Sequence, residues 1–95
     1  MFGNIFVNDL KKIDSSQIID IRSIEKYNNG HIMNSKNIPI TELLGNPSKY
    51  LLRHKRYYIY CQKGNQSKRV CTILTRNGYN VVNILGGYEA WVMDE

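Results

Sequence analysis

Three short apolar runs constrain the fold of this chain more than any other feature. Ile18-Ile19-Asp20-Ile21, Tyr57-Tyr58-Ile59-Tyr60 and Val81-Val82-Asn83-Ile84 are each nearly continuous in bulky residues. A strand with one wet face alternates apolar with polar, whereas a strand covered on both faces does not. The third run is entered through Asn77-Gly78 and left through Gly86-Gly87, which are turn signals. Ile5-Phe6-Val7 and Asn37-Ile38 are shorter strand candidates. Helical patterns fill the gaps. Asn8-Asp9 is expected to cap a short helix through Lys12, and Ser23 one running to Tyr27 that ends at Asn29-Gly30. Thr41 is expected to open a third at Glu42-Leu43-Leu44, and Pro47-Ser48 to restart the chain toward Tyr50-Leu51-Leu52. The longest helix is predicted from about Gln66 to Asn77, closed by Gly78, and a last one from Tyr88 to Met93. In the longest, Val70, Cys71, Ile73 and Leu74 fall on one face, with Lys68, Arg69, Thr72 and Arg76 toward water. Strands alternating with helices predict an α/β domain with a mainly parallel sheet.

At 95 residues the chain has the length of one domain, and residues 1–95 are read as one. No apolar run approaches the roughly 20 residues of a membrane helix, so no membrane association is expected. Asp9, Lys11 and Lys12 interrupt the apolar start, so no secretory signal is expected. Two cysteines without export imply thiols in a reducing, cytoplasmic setting.

Charge is distributed unevenly. Residues 1–42 balance five acids with five bases, but from Leu43 to Tyr88 there are eight bases and no acid. Such a block 43–88 suits an anionic partner, or it is simply a solvated basic surface. Nucleic acid is not expected, because the block carries no recognition-helix, zinc or aromatic ribonucleoprotein motif.

In an open parallel sheet, ligands gather at the carboxyl ends of the strands. There, after Tyr57–Tyr60, stands Cys61-Gln62-Lys63-Gly64-Asn65-Gln66-Ser67, leading straight into the longest helix. A cysteine facing a helix N-terminus has unpaired backbone N–H groups aimed at it, and these favour the thiolate. Gly64 permits backbone angles that let successive amides converge, Ser67 offers a hydroxyl, and Lys63 adds positive charge. No His or Asp lies nearby in sequence to serve as a base. The anion would be made by the local field.

These motifs, in this order, resemble the single-domain rhodaneses, a sulfurtransferase family. The resemblance is carried by Ile18-Ile19-Asp20-Ile21-Arg22, Glu25, Gly30-His31-Ile32, Asn37-Ile38-Pro39 and Tyr60-Cys61-Gln62-Lys63-Gly64-Asn65-Gln66-Ser67. It continues through Gly78-Tyr79-Asn80-Val81-Val82 and Leu85-Gly86-Gly87-Tyr88-Glu89-Ala90-Trp91, covering nearly the whole chain. The resemblance implies a rhodanese-like α/β fold: a central, mostly parallel five-stranded sheet with helices on both faces. It implies a reaction in which Cys61 takes the outer sulfur of a small anionic donor such as thiosulfate. The resulting persulfide, cradled by the amides of Gln62, Lys63, Gly64, Asn65, Gln66 and Ser67, passes that sulfur to cyanide, a small thiol or a protein acceptor. No cofactor is implied, and a monomer is compatible with it. One position departs from the pattern: Gln66 stands where many relatives carry Arg, which removes a bidentate partner for an anionic donor.

Two other readings share this loop. Protein phosphatases place Arg at the sixth residue after the nucleophile; here that residue is Ser67, which leaves phosphate without its cation. A non-turnover sulfur carrier or protein-docking module would use the same cysteine and the basic block. Asp20 and Arg22, at the carboxyl end of a strand, are read as an ion pair ordering the loop, made by Arg22 with Asp20 or Glu25, and Arg22 also as a source of positive bias at the site. Cys71 is read as a small core residue, His31 as a structural histidine and His54 as a surface one. Neither histidine has metal-ligand spacing with a cysteine, so no metal is expected. Trp91 is read as core or as a cover for the last helix.

Overall fold

The structure is a computed structural model in which residues 1–13 and 17–94 are described. The described residues form strands β1 (Gly3–Ile5), β2 (Ile18–Asp20), β3 (Lys36–Asn37), β4 (Arg56–Tyr60) and β5 (Asn80–Ile84). The helices are a 3₁₀ helix (Val7–Lys12), α1 (Ile24–Asn28), α2 (Ile40–Gly45), α3 (Pro47–Tyr50), α4 (Asn65–Arg76) and α5 (Gly87–Asp94). The strands make one sheet in the order β1-β5-β4-β2-β3. Every pairing in it is parallel. The predicted α/β class is therefore found, with the sheet parallel throughout.

The unalternating runs are explained by the covering layers. On one face lie Ile19, Ile21, Tyr57, Ile59 and Val81, under Val70, Cys71 and Leu74 of α4, Leu43 of α2, and Leu51. On the other lie Ile18, Tyr60 and Ile84, under Val7 and Leu10 of the 3₁₀ helix and Ile32, with Tyr88 and Trp91 of α5 packed against them. Successive residues of β2, β4 and β5 thus feed opposite cores, and both need apolar side chains. Fully burying a side chain such as Leu74 or Val70 is worth about 1.5–3 kcal/mol.

Several element bounds differ from expectation. β1 lies earlier than Ile5-Phe6-Val7, because Phe6 is already the N-cap of the 3₁₀ helix that Val7 enters. Asn8 and Asp9 lie inside that helix, which has no side-chain cap hydrogen bond. Thr41 does not cap α2. Pro39 takes the N-cap, and its carbonyl accepts from the amides of Glu42 and Leu43, so the helix starts directly after it. α3 stops at Tyr50, since Leu51 is extended. Ile73 is 39% exposed rather than buried: it lies about 100° around α4 from the centre of its core face. Ser67 sits at that centre and is fully buried. Ser23 does cap α1, its side chain accepting from the amide of Lys26.

Candidate active site

Cys61 follows β4, and α4 begins at Asn65. Helix amides in the first turn lack intrahelical partners and usually receive a side-chain cap. Gly64, the N-cap of α4, has no side chain to offer and adopts φ +104°. The sulfur takes the cap's place. Cys61 Sγ accepts from the Gly64 amide at 3.1 Å and from the Ser67 amide at 3.3 Å. Of the loop amides, these two reach the sulfur. Gln62, Lys63, Asn65 and Gln66 line an open cleft of about 260 Å³ beside Cys61, together with Lys26 of α1. Gly64→Val is expected to disturb this cap without touching the Cys61 side chain. A β-branched residue resists φ +104°, and its Cβ would stand 3.2 Å from the Gly86 amide nitrogen. Alkylation of Cys61 by iodoacetamide at neutral pH should slow by about tenfold. An unchanged rate would refute the cap.

The start of α5 clamps the loop from the other side. Tyr88 and Glu89 donate their amides to the carbonyls of Cys61 (2.9 Å) and Gln62 (3.1 Å). Gly87, at φ +60°, lets the two segments meet: a Cβ there would lie 2.3 Å from the Cys61 carbonyl oxygen.

Ser67 makes a further contact that the sequence reading did not supply. Its hydroxyl donates to Asn83 Oδ1 at 2.6 Å, while the Cys61 thiol lies 3.4 Å from Ser67 Oγ. Asn83 is 2% exposed. A polar residue in the run Val81-Val82-Asn83-Ile84 was a visible signal, since a buried amide requires partners. Lys26 was also missed; its place on the helix after β2, at the carboxyl ends of the strands, was the available signal.

Asp20 and Arg22 do form an ion pair, and Glu25 is not its partner. Arg22 donates through Nη2 to Asp20 Oδ2 at 2.7 Å and through Nε to both carboxylate oxygens. Its remaining donors reach the Gly30 carbonyl (2.7 Å) and Gln62 Oε1 (3.1 Å), and its guanidinium lies 4.2 Å from the centre of the Tyr88 ring. Arg22 thus ties β2, the loop before β3, the Cys61 loop and α5 together. Four of its five N–H donors are spent on the protein in this way. Burial lowers the affinity of Arg22 for its proton, but the bond and charge of Asp20 outweigh this and raise it.

Tyr60 donates to the same Asp20 Oδ2 at 2.6 Å and accepts from the Ile32 amide at 3.0 Å. Burial, then the bond to Asp20, push the Tyr60 phenol well above its usual range. Burial likewise pushes the Cys71 thiol up to about 12. Both groups hold their protons longer when folded than when unfolded, so the native state binds more protons at alkaline pH. Stability is therefore complete below the ordinary pKa values of 9.0 and 10.0 and falls as pH rises above them. Urea unfolding should show a loss approaching about 1.4 kcal/mol per pH unit from Cys71 above pH ~9 and a further such loss from Tyr60 above pH ~10; a flat profile would contradict the assignment.

The remaining candidates behave as structural residues. Cys71 is buried beneath the sheet and unpaired. His31 stacks on Tyr27 at 3.8 Å, its Nδ1 lying 2.8 Å from the Tyr27 carbonyl. His54 is exposed. Trp91 is partly buried against the second core. Among the described residues, no three His, Cys, Asp or Glu side chains gather as a metal-ligand set, and no helix is long and apolar enough to cross a membrane. A larger groove of about 460 Å³ lies by β1, reaching Asn4, Tyr58 and Val82. No cysteine lines it.

Comparison with known proteins places this geometry in context. The family described as the rhodanese-like domain matches residues 6–94. A rhodanese-related protein from Thermoplasma volcanium superposes with a TM-score of 0.87 at 33% identity, covering 98% of this chain and 93% of that one. YqhL of Bacillus subtilis is 32% identical over 77 residues, 80% of this chain and 60% of its own length. The adenylyltransferase and sulfurtransferase uba4 of Ogataea parapolymorpha is 30% identical over 88 residues, 92% of this chain and 23% of that protein. The chain therefore spans less than two thirds of these two relatives.

Proposed function

We propose a sulfur-transfer function for this chain, which belongs to the rhodanese-like family: Cys61 accepts a sulfane sulfur as a persulfide and hands it to a thiophilic acceptor. The observation that carries the reading is the capping of α4 by the Cys61 sulfur, through the Gly64 and Ser67 amides. Amides fixed in this way favour an anionic sulfur, first as thiolate and then as persulfide, without a general base. The name of uba4 includes sulfurtransferase, which agrees with this reading.

With thiosulfate as donor, the Cys61 thiolate attacks the outer sulfur. A new S–S bond forms, and sulfite leaves with the electron pair of the old one. An acceptor such as cyanide or a thiolate then attacks the outer sulfur of the persulfide, and the pair of that bond returns to Cys61. Lys26 and Lys63, at the cleft, supply the charge that an anionic donor requires. Gln66 offers only a neutral amide in the same cleft. Gln66→Arg is expected to lower KM for thiosulfate several-fold, on the order of one charge-assisted hydrogen bond, with little change in kcat. An unchanged or higher KM would count against the charge argument. Both cysteines are free, which suits a reducing, cytoplasmic location.

Intact mass after exposure to thiosulfate, and again after cyanide, tests the reading. A gain of one sulfur that cyanide removes, with thiocyanate accumulating over many turnovers, supports a sulfurtransferase. Loading that is discharged only slowly favours the second reading, a carrier for a protein acceptor, for which the acid-free block 43–88 is the motivating feature. No loading from thiosulfate or from a persulfide donor would end both.

A further inference from the structure

We propose that Asn83 is a positioning residue for the Cys61 sulfur, acting through the Ser67 hydroxyl, with the exposed Asn4 as its outer partner. The inference rests on Cys61 being the nucleophile of the reading above. Four side chains stand in a row. Cys61 Sγ is 3.4 Å from Ser67 Oγ, Ser67 Oγ is 2.6 Å from Asn83 Oδ1, and Asn83 Nδ2 is 3.3 Å from Asn4 Oδ1. The last step exists because β1 and β5 run parallel with Asn4 directly opposite Asn83. Ser67 and Asn83 are buried, whereas Asn4 is exposed.

A hydroxyl carries one proton. Here it goes to Asn83 Oδ1, with the Gly64 carbonyl at 3.2 Å a more distant acceptor. Ser67 therefore turns a lone pair toward the sulfur and accepts from the thiol. That polarity suits neutral sulfur. A thiolate or persulfide anion has no proton to give, and the same lone pair then faces negative charge. For Ser67 to donate to the anion, Asn83 must present Nδ2 to the hydroxyl, and Asn4 must donate to Asn83 Oδ1. Each change is a half-turn of an amide, and Asn4 can exchange partners with water at little cost. The row has two polarities, one matched to neutral and one to charged sulfur. No proton travels along it; donors and acceptors trade places.

Other groups near Cys61 act from different directions. Lys63 and Lys26 border the cleft, and Arg22, with Asp20 behind it, and Glu89 are reached through Gln62. Cys71 lies on α4 below, and Lys68 and Arg69 are on its exposed side. Among the described residues, none of these charged groups hydrogen-bonds the side chain of Ser67, Asn83 or Asn4.

The test needs no sulfur donor. In Cys71→Ser protein only Cys61 can be alkylated, and its iodoacetamide rate against pH reports when the thiol ionises. Loss of sulfur loading with this profile intact would strike the functional reading alone. Asn4→Asp replaces an exposed amide by a group that accepts but does not donate. It holds Asn83 Nδ2 outward and Oδ1 on Ser67, which is the polarity that suits the thiol. The midpoint of the profile should move up by about half to one pH unit, slowing alkylation below it roughly three- to tenfold. Raising the salt concentration should leave the shift in place, since a surface charge acting through solvent would be screened. The shift should vanish in Ser67→Ala, and Asn83→Asp should give a larger one. A midpoint unmoved by Asn4→Asp, a shift that survives Ser67→Ala, or one that salt removes would overturn the proposal.

Discussion

Cys61→Ser is expected to abolish sulfur loading, and Cys71→Ser to leave it nearly intact. The two thiols are both buried, so burial does not separate them. What separates them is what each sulfur faces. Cys61 Sγ has two amide donors and borders the cleft. Cys71 packs among Val70, Leu74 and the sheet, with its thiol pushed up to about 12. At neutral pH its thiolate fraction is on the order of one in 10⁵, and only the thiolate attacks a sulfur donor. A serine at position 61 keeps the backbone and a capping atom but replaces the thiol with a hydroxyl that stays protonated. At position 71 a serine buries a hydroxyl, at a cost of about 1–3 kcal/mol, which lowers stability rather than chemistry. Intact mass after thiosulfate or a persulfide donor reads both variants directly. A sulfur gained by Cys61→Ser, or lost by folded Cys71→Ser, would move the chemistry to the other thiol.

Asp20→Asn should be the most destabilising conservative change in the molecule. Asparagine keeps the shape but removes the charge that Arg22 faces at 2.7 Å. Arg22 is 6% exposed and Asp20 0%, so the guanidinium would be left buried with carbonyl and amide oxygens alone. Breaking one half of such a pair costs about 3–5 kcal/mol. At about 4–8 °C per kcal/mol for a domain of this size, the midpoint of thermal unfolding should fall by more than ~12 °C. Removing both partners, as in Asp20→Asn with Arg22→Met, should cost less than Asp20→Asn alone, because no unpaired charge remains. Additive losses in that double variant would show that the packing around Arg22, rather than its charge, is what Asp20 serves.

The sheet was legible because both of its faces are covered. Ile18 to Ile21 and Tyr57 to Tyr60 read as strands from apolar continuity, and the structure places Ile19 and Ile59 in one core and Ile18 and Tyr60 in the other. The strand-to-helix passage at Cys61 was legible for a similar reason: Gly64 and the polar run after it announce a turn into a helix. The short β1 was misplaced, since three residues pairing with one neighbour leave too little pattern to fix a boundary. Lys26 and Asn83 were missed at the site. Each lies more than 15 residues from Cys61 in the chain, and its approach depends on the packing of whole elements, which no local pattern encodes. Asn83 was visible as a polar residue in an apolar strand, but its partners Ser67 and Asn4 follow only from register.

The clamp of α5 on the Cys61 loop has a consequence in time. A chain is made from its N-terminus, so Cys61 emerges well before Gly87, Tyr88 and Glu89, which hold the carbonyls of Cys61 and Gln62. It also emerges before β5, without which β1 has no neighbour and Asn83 is absent. A nascent chain that has grown only through α4 carries the cysteine but lacks the side of its cradle that holds the loop in place. Pairing β1 with β5 closes nearly the full length of the chain, and such distant contacts form late. The Cys61 loop is thereby clamped on its α5 side only after that helix has been made and has docked.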